Sequence, residues 1–378
     1  MKSIIVFVML LIVAGCHQRE QAAQQPSVVP SATTLRYAEG FRVSYQQGGV
    51  KLVEVTYPYQ GATEGYRYLL VPRGHEVPEH DPQTKVIQIP LQSIACTSTT
   101  HIPMLDYLGE SDKLTGFTST QYVSTAAVRE RIDAGKVVEL GMDKDVNLER
   151  LAVLKPNILM GYSMSSDYAQ FRKIEQLGVP VVINAEYLEK SPLGRAEWIK
   201  FVALFFDKEN AADSIFSAIE KDYLASAQLA AHVAKRPKVL TGIVYSDAWI
   251  VPGGKNYAAT LLKDAGCDYL WSDDTSHGYL QLSFESVFEK GHDADLWIGV
   301  GSFNSLKEVE AADRRYARFR PFKERAVYTS NARSGAAGGS EYLELGYLRP
   351  DIILKDLIRI GHPELLEGYA LYFHKRLE

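Results

Sequence analysis

The chain has 378 residues, 46% of them hydrophobic and 23% charged, a composition that excludes a disordered polymer and leaves room for two sizeable cores. A formal net charge of −5 gives no basic face, which argues against nucleic acid as a partner. Three cysteines without a CxxC pattern, and no HExxH, argue against the common zinc motifs. The 22 tyrosines suit either a partly wet recognition surface or an extracytoplasmic β-rich segment.

In chain order, the apolar run 4–13 after Lys2 falls short of the roughly 20 residues that a membrane-crossing helix needs. It suits the core of a signal peptide over residues 1–15. Val13-Ala14-Gly15-Cys16 resembles a bacterial lipobox, which implies that Cys16 is acylated and leads the mature chain. Residues 16–34 then carry the lipidated cysteine and a tether, since 17–34 are rich in Gln, Ala, Ser and Pro and lack apolar period. This predicts a membrane-anchored lipoprotein on the periplasmic side of a bacterial cell envelope. Of the remaining cysteines, Cys96 and Cys267 fall in different predicted lobes and are expected as two buried free thiols.

Residues 35–90 read as a small β extension. Phe41, Val43 and Tyr45 alternate with polar residues, Gln47-Gly48-Gly49 supplies a turn, and residues 66–71 form a further strand. From Ser93 the pattern changes to an α/β unit over residues 91–206. A strand at 93–96 leads into the loop Thr97-Ser98-Thr99-Thr100 and a helix ending at Gly109. Asn147 caps a helix broken at Lys155-Pro156, and 157–161 is a buried-type strand. Another helix leads through Gly178 to a strand at 180–183. Strand and helix in alternation with short links predict a parallel sheet covered on both faces.

Residues 208–235 carry apolar or small residues at Ala212, Ile215, Phe216, Ile219, Tyr223, Ser226, Ala230 and Val233, a stripe along one helical face. Asp207 is placed to cap the start, and Arg236-Pro237 to close the end. The helix is read as an interlobe spine over residues 207–236. After it the element order repeats through residues 237–378: a strand at 238–243, a loop at 247–254, helices and a buried strand at 295–299. The expected fold class is therefore α/β, two Rossmann-like lobes joined by one long helix, with the N-terminal β extension.

Ligands of open α/β sheets sit outside the carboxyl ends of the strands. By position, the candidate ligand-binding residues are Ser98, Thr99, His101, Tyr162, Tyr245, Trp249, Ser302, Phe303, Tyr328 and Arg333. The set is aromatic and rich in hydroxyls, with one cation. It holds no nucleophile–base pair and no close carboxylate pair, so no catalytic residue is assigned. The Gly-rich loop 331–341 lacks the GK[ST] of a P-loop, and its glycines would let backbone approach a bulky ligand.

The β–Ser/Thr loop–helix of 93–116 resembles the first lobe of the metal-chelate solute-binding proteins of ABC importers, which serve siderophores, haem and cobalamin. Lys155-Pro156-Asn157-Ile158-Leu159, Leu177-Gly178-Val179-Pro180, Leu348-Arg349-Pro350-Asp351 and His362-Pro363-Glu364-Leu365 continue the likeness to the C-terminus. The resemblance implies a monomeric binding protein rather than an enzyme, without a resident cofactor or metal. A chelate would be held between the lobes, Tyr162 would face Trp249 across it, and the lobes would open only slightly. The implied partners are the chelate, a permease with its ATPase, and the membrane through the lipid. Asp167 and Asp264 stand where docking acids would serve. An iron chelate of siderophore or haem type is expected; cobalamin is the alternative, and an extracytoplasmic enzyme on a duplicated scaffold a distant one.

Overall fold

Alternation builds the first sheet. In Lys51–Val55, Val53 and Val55 are buried while Glu54 between them is exposed, the period of a strand with one face on a core. The computed structural model describes residues 33–335 and 337–378; the expected signal peptide and the expected lipidation site Cys16 lie outside the described residues. Strands β1 (Phe41–Tyr45), β2 (Lys51–Val55), β3 (Tyr66–Pro72) and β4 (Lys85–Ile89) lie in that order, antiparallel except for the parallel β3–β4 pair. This sheet is no loose appendage. Phe41 packs on Trp198 and Phe201, at ring-centroid distances of 4.9 and 5.3 Å. The Tyr68 hydroxyl accepts from the Ile183 amide at 2.9 Å.

The next strands are short, and those at the centre and one edge of their sheet, residues 94–96, 158–161 and 181–183, are buried on both faces, which is why they read as continuous apolar runs. The full set is β5 (Ile94–Cys96), β6 (Leu114–Phe117), β7 (Val138–Glu139), a small hairpin β8 (Gly141–Met142) and β9 (Asp145–Val146), then β10 (Ile158–Gly161) and β11 (Val181–Ile183). Five of them form a wholly parallel sheet in the order β11-β10-β5-β6-β7. Asn147 caps its helix as expected, accepting from the Arg150 amide at 2.9 Å.

A second five-stranded sheet follows the long helix. Its strands come from β12 (Lys238–Thr241), β13 (Ile243–Tyr245), β14 (Ala248–Pro252), β15 (Asp268–Tyr269), β16 (Tyr279–Leu282), β17 (Leu296–Ile298), β18 (Val327–Thr329) and β19 (Lys375–Arg376). The order is β15-β12-β17-β18-β19, parallel but for the terminal β19. The other three, β13-β14-β16, make an antiparallel sheet. The segment expected as a loop at 247–254 is thus largely strand. Cys96 and Cys267 are both buried free thiols.

The long helix spans Glu209–Ala230, 22 residues, and buries Ala212, Phe216, Ile219, Tyr223, Ser226 and Ala230 along the expected stripe. It is shorter than 208–235. Asp207 does not cap it: the residue adopts a left-handed conformation (φ 54°), and its carboxylate pairs with Lys51 at 2.8 Å. Lys51 is itself only 3% exposed and also pairs with the buried Glu209. The N-terminal sheet therefore grips the start of the helix through Lys51, and the first lobe through Lys200, which pairs with Asp213 at 3.0 Å. The second lobe grips its later turns, where Tyr223 donates to Asp264 at 2.6 Å.

The lobes also meet directly. The Glu344 carboxylate, 1% exposed in helix Glu341–Leu345, accepts from the Ser124 amide (2.7 Å) and hydroxyl (2.8 Å) and from both the amide and the hydroxyl of Thr125. Thr125 precedes helix Ala126–Asp133 and makes no capping bond of its own, so a carboxylate from the opposite lobe occupies the positive end of that helix. The Gly-rich loop packs against the same segment: a Cβ at Gly339 would lie 2.0 Å from the Tyr122 carbonyl oxygen. Its close backbone approach is to the other lobe rather than to a ligand.

Candidate binding cleft

A cavity of about 550 Å³ lies between the lobes. The first lobe supplies its wall from three strand ends: Ser98–Thr100 after β5, Tyr162 and Met164 after β10, and residues 186–195 after β11. The second lobe supplies Asn256 and Tyr257, the segment 277–279 leading into β16, and Leu343 and Tyr347 around helix Glu341–Leu345.

Arg195 provides the cleft with a fixed cation. It lies on helix Pro192–Glu197, capped by Ser191, whose hydroxyl accepts from the Gly194 amide at 2.9 Å. Its guanidinium sits 4.0 Å from the Tyr257 ring centroid and 4.5 Å from that of Tyr347, so two rings of the second lobe flank a charge carried by the first. Two of its nitrogens donate to main-chain carbonyls of its own lobe, those of Glu189 (3.2 Å) and Tyr187 (2.9 Å). A planar fork held in this way suits an oxyanion.

Tyr162, Tyr187 and Tyr257 on this wall are held as neutral phenols. Burial pushes the Tyr187 hydroxyl up to about 12, with the neighbouring Glu186 adding to the rise. Burial and then the hydrogen bond to Asp143 (2.6 Å) raise Tyr162. Tyr257 is raised by burial as well. Ligating a bare metal ion through phenolate would require ionising groups that the site holds protonated. Among the described residues no group of three His, Cys, Asp or Glu is arranged to hold a metal. What the wall offers is aromatic area, hydroxyls, the Arg195 guanidinium and the Lys190 ammonium, beside the carboxyl groups of Glu186 and Glu189.

Of the residues expected from sequence, Ser98, Thr99 and Tyr162 line this cavity. The others do not. Trp249 is fully buried: it faces inward from β14, stacks on Trp297 at 5.5 Å, packs against Tyr316 and Phe319, and donates its indole N–H to the Thr241 carbonyl at 2.9 Å. It is a core anchor, and the wall it was expected to form comes from Tyr257, Tyr279 and Tyr347. His101 is fully buried under the Thr loop, and burial drives its imidazole down to about 3. Tyr245 is 76% exposed at the β13–β14 turn. Phe303 and Tyr328 pack against the core, Ser302 is an exposed residue whose carbonyl accepts from Asn331, and Arg333 lies over the Tyr372 ring at 4.2 Å. None of these four lines the cavity. Asp264, bound by Tyr223 and raised by burial, turns toward the spine rather than a docking surface; Asp167 is exposed and accepts from the Ala169 amide at 3.0 Å.

Sequence reading missed Glu186, Tyr187, Arg195, Tyr257, Tyr279 and Tyr347. The first two carry a signal that was available, since they follow the carboxyl end of β11.

The description of the periplasmic binding protein family matches residues 94–333. An uncharacterized lipoprotein of Methanocaldococcus jannaschii is 25% identical over 362 residues, covering 90% of this chain and 84% of that protein. A periplasmic binding protein from Veillonella parvula superposes with a TM-score of 0.59 at 16% identity, over 86% of this chain and 98% of that one. A periplasmic heme-binding protein of Vibrio cholerae does so with 0.54 at 17% identity, over 70% and 99%. These structural likenesses concern the fold.

Proposed function

The chain belongs to the periplasmic binding protein family, and we propose that it captures a metal chelate between its lobes and delivers it to an ABC importer permease. The observation that carries this reading is the interlobe cavity of about 550 Å³, walled by tyrosines from both lobes around one ring-flanked guanidinium. Aromatic walls suit a bulky, coordinatively saturated complex, and Arg195 suits its anionic oxygens, as in a ferric siderophore or the propionates of haem. The heme-binding relative from Vibrio cholerae supports this class. Cobalamin, less anionic, would draw on the rings more than on Arg195 and is the second reading.

Family membership favours binding over catalysis. The lipobox-like Val13-Ala14-Gly15-Cys16 and the lipoprotein name of the Methanocaldococcus relative support a lipid anchor outside the cytoplasm. Asp167, exposed, remains a docking candidate for the permease. Equilibrium titration of the protein lacking residues 1–32 with an iron(III) tris-catecholate, haemin and cyanocobalamin tests the assignment. Saturable one-to-one binding of the first or second supports it, and binding of cyanocobalamin alone supports the second reading. Failure of all three removes both.

A further inference from the structure

Glu186 is 2% exposed, forms part of the cavity wall, and leaves its Oε2 without a hydrogen-bond partner. Its other oxygen is bonded to the Thr100 hydroxyl, and Thr100 Oγ1 lies 2.8 Å from Ser98 Oγ, where either atom can be the donor. Ser98 and Thr100 both line the cavity. The three side chains form a chain of hydroxyls running from the ligand space to a buried carboxyl.

Such a chain has a direction. When Glu186 is ionised it can only accept, so Thr100 donates to it, Ser98 donates to Thr100, and Ser98 offers a lone pair to the cleft. When Glu186 is protonated it can donate to Thr100; Thr100 then donates to Ser98, and the Ser98 hydroxyl is free to donate into the cleft. We propose that Glu186 is a positioning and specificity residue whose protonation sets the Ser98 hydroxyl as donor or acceptor, so that oxygen-rich anionic ligands bind with uptake of one proton. This rests on the chelate-binding reading above.

The surroundings allow the proton to be held. Burial raises Glu186 to about 7, against the smaller opposing effects of the Thr100 hydrogen bond and the Arg195 charge. The charged and titratable groups sharing its wall are Arg195 on helix Pro192–Glu197, Tyr162 after β10, and Tyr187, Glu189 and Lys190 beside it; the Glu189 carboxyl, raised by burial, accepts from the Trp198 indole (2.8 Å) and from the Glu39 and Gly40 amides of the N-terminal segment. Tyr162 and Tyr187 are raised, and His101 beyond Thr100 is held neutral, so none of these three switches near neutrality. His277, exposed on the cavity wall, is replaced by Gln in all test proteins so that no imidazole faces the probe.

The probe is the iron(III) tris-catecholate. If only the protonated form accepts it, affinity follows that population and falls roughly tenfold between pH 6 and pH 8. Calorimetry in two buffers of different ionisation enthalpy should register about half a proton taken up at pH 7. Glu186→Gln, which donates and accepts without titrating, and Thr100→Val, which cuts the chain and keeps the shape, should each flatten the profile and abolish the uptake. A flat profile in the His277→Gln parent, or a slope that survives both substitutions, overturns the relay while leaving the chelate reading intact. No binding of any probe overturns the chelate reading and the relay with it.

Discussion

The interlobe contact at Glu344 makes a quantitative claim. Glu344→Ala removes a buried carboxylate that accepts four hydrogen bonds from Ser124 and Thr125. The two hydroxyls can turn to other partners; the two amides cannot. Hydrogen bonds to charged groups contribute about 1.5–3 kcal/mol each, and loss of a helix cap costs about 1 kcal/mol. Because opened amides recover water, we take about 2–3 kcal/mol as the net change in the equilibrium between closed and open lobes on this side. At 1.4 kcal/mol per decade this is roughly a 30- to 150-fold larger open population. Native-state hydrogen exchange measures it directly: the Ser124 and Thr125 amides should exchange faster by that factor, while amides of β5 and β10 should not change. Glu344→Gln, which retains one acceptor oxygen, should fall between. Unchanged exchange at Ser124 and Thr125 in Glu344→Ala would refute the idea that this carboxylate holds the lobes together.

Three further outcomes follow from the packing. Trp249→Ala should lower unfolding free energy by about 3–5 kcal/mol in a denaturant titration, because the indole fills a core of four other aromatic rings; intact stability with lost binding would return it to the cleft. Lys51→Met leaves Glu209 buried without its cation and should cost about 3–5 kcal/mol, unless a like-for-like Glu209→Gln partner restores it. Glu186 has a folded pKa raised from 4.5 to about 7, so its contribution is fully present below pH 4.5 and lost as pH rises through 7. The wild type should therefore lose stability relative to Glu186→Gln across that window, by up to about 3 kcal/mol, and parallel stability curves would show that the carboxyl is not raised.

What the sequence disclosed and what it hid differ for physical reasons. Strands such as Ile158–Gly161 are buried on both faces and announce themselves as apolar runs, and the spine repeats its stripe over 22 residues. Both signals are local. Trp249 sits between Asp247 and Gly253-Gly254, residues that suggest a loop; that its ring faces a core depends on β16 and on Trp297, Tyr316 and Phe319, all far along the chain. Arg195 looks like an ordinary helical arginine until Tyr257 and Tyr347 arrive from the other lobe. The cleft residues that were legible are those at the ends of β5 and β10, where topology alone determines position. Tyr187 at the end of β11 obeys the same rule.

The most direct test of the account is the affinity of Arg195→Ala for the chelate that the wild type binds, measured by calorimetry alongside thermal unfolding. The guanidinium borders the interlobe cavity between two rings, and a charge-assisted bond of about 1.5–3 kcal/mol corresponds to a loss of roughly 10- to 150-fold in affinity. That loss is expected in a variant that still unfolds cooperatively, its midpoint lowered only by the two main-chain bonds and two ring contacts given up. Undiminished affinity in a folded Arg195→Ala protein would place the ligand elsewhere and contradict the assignment of the cleft.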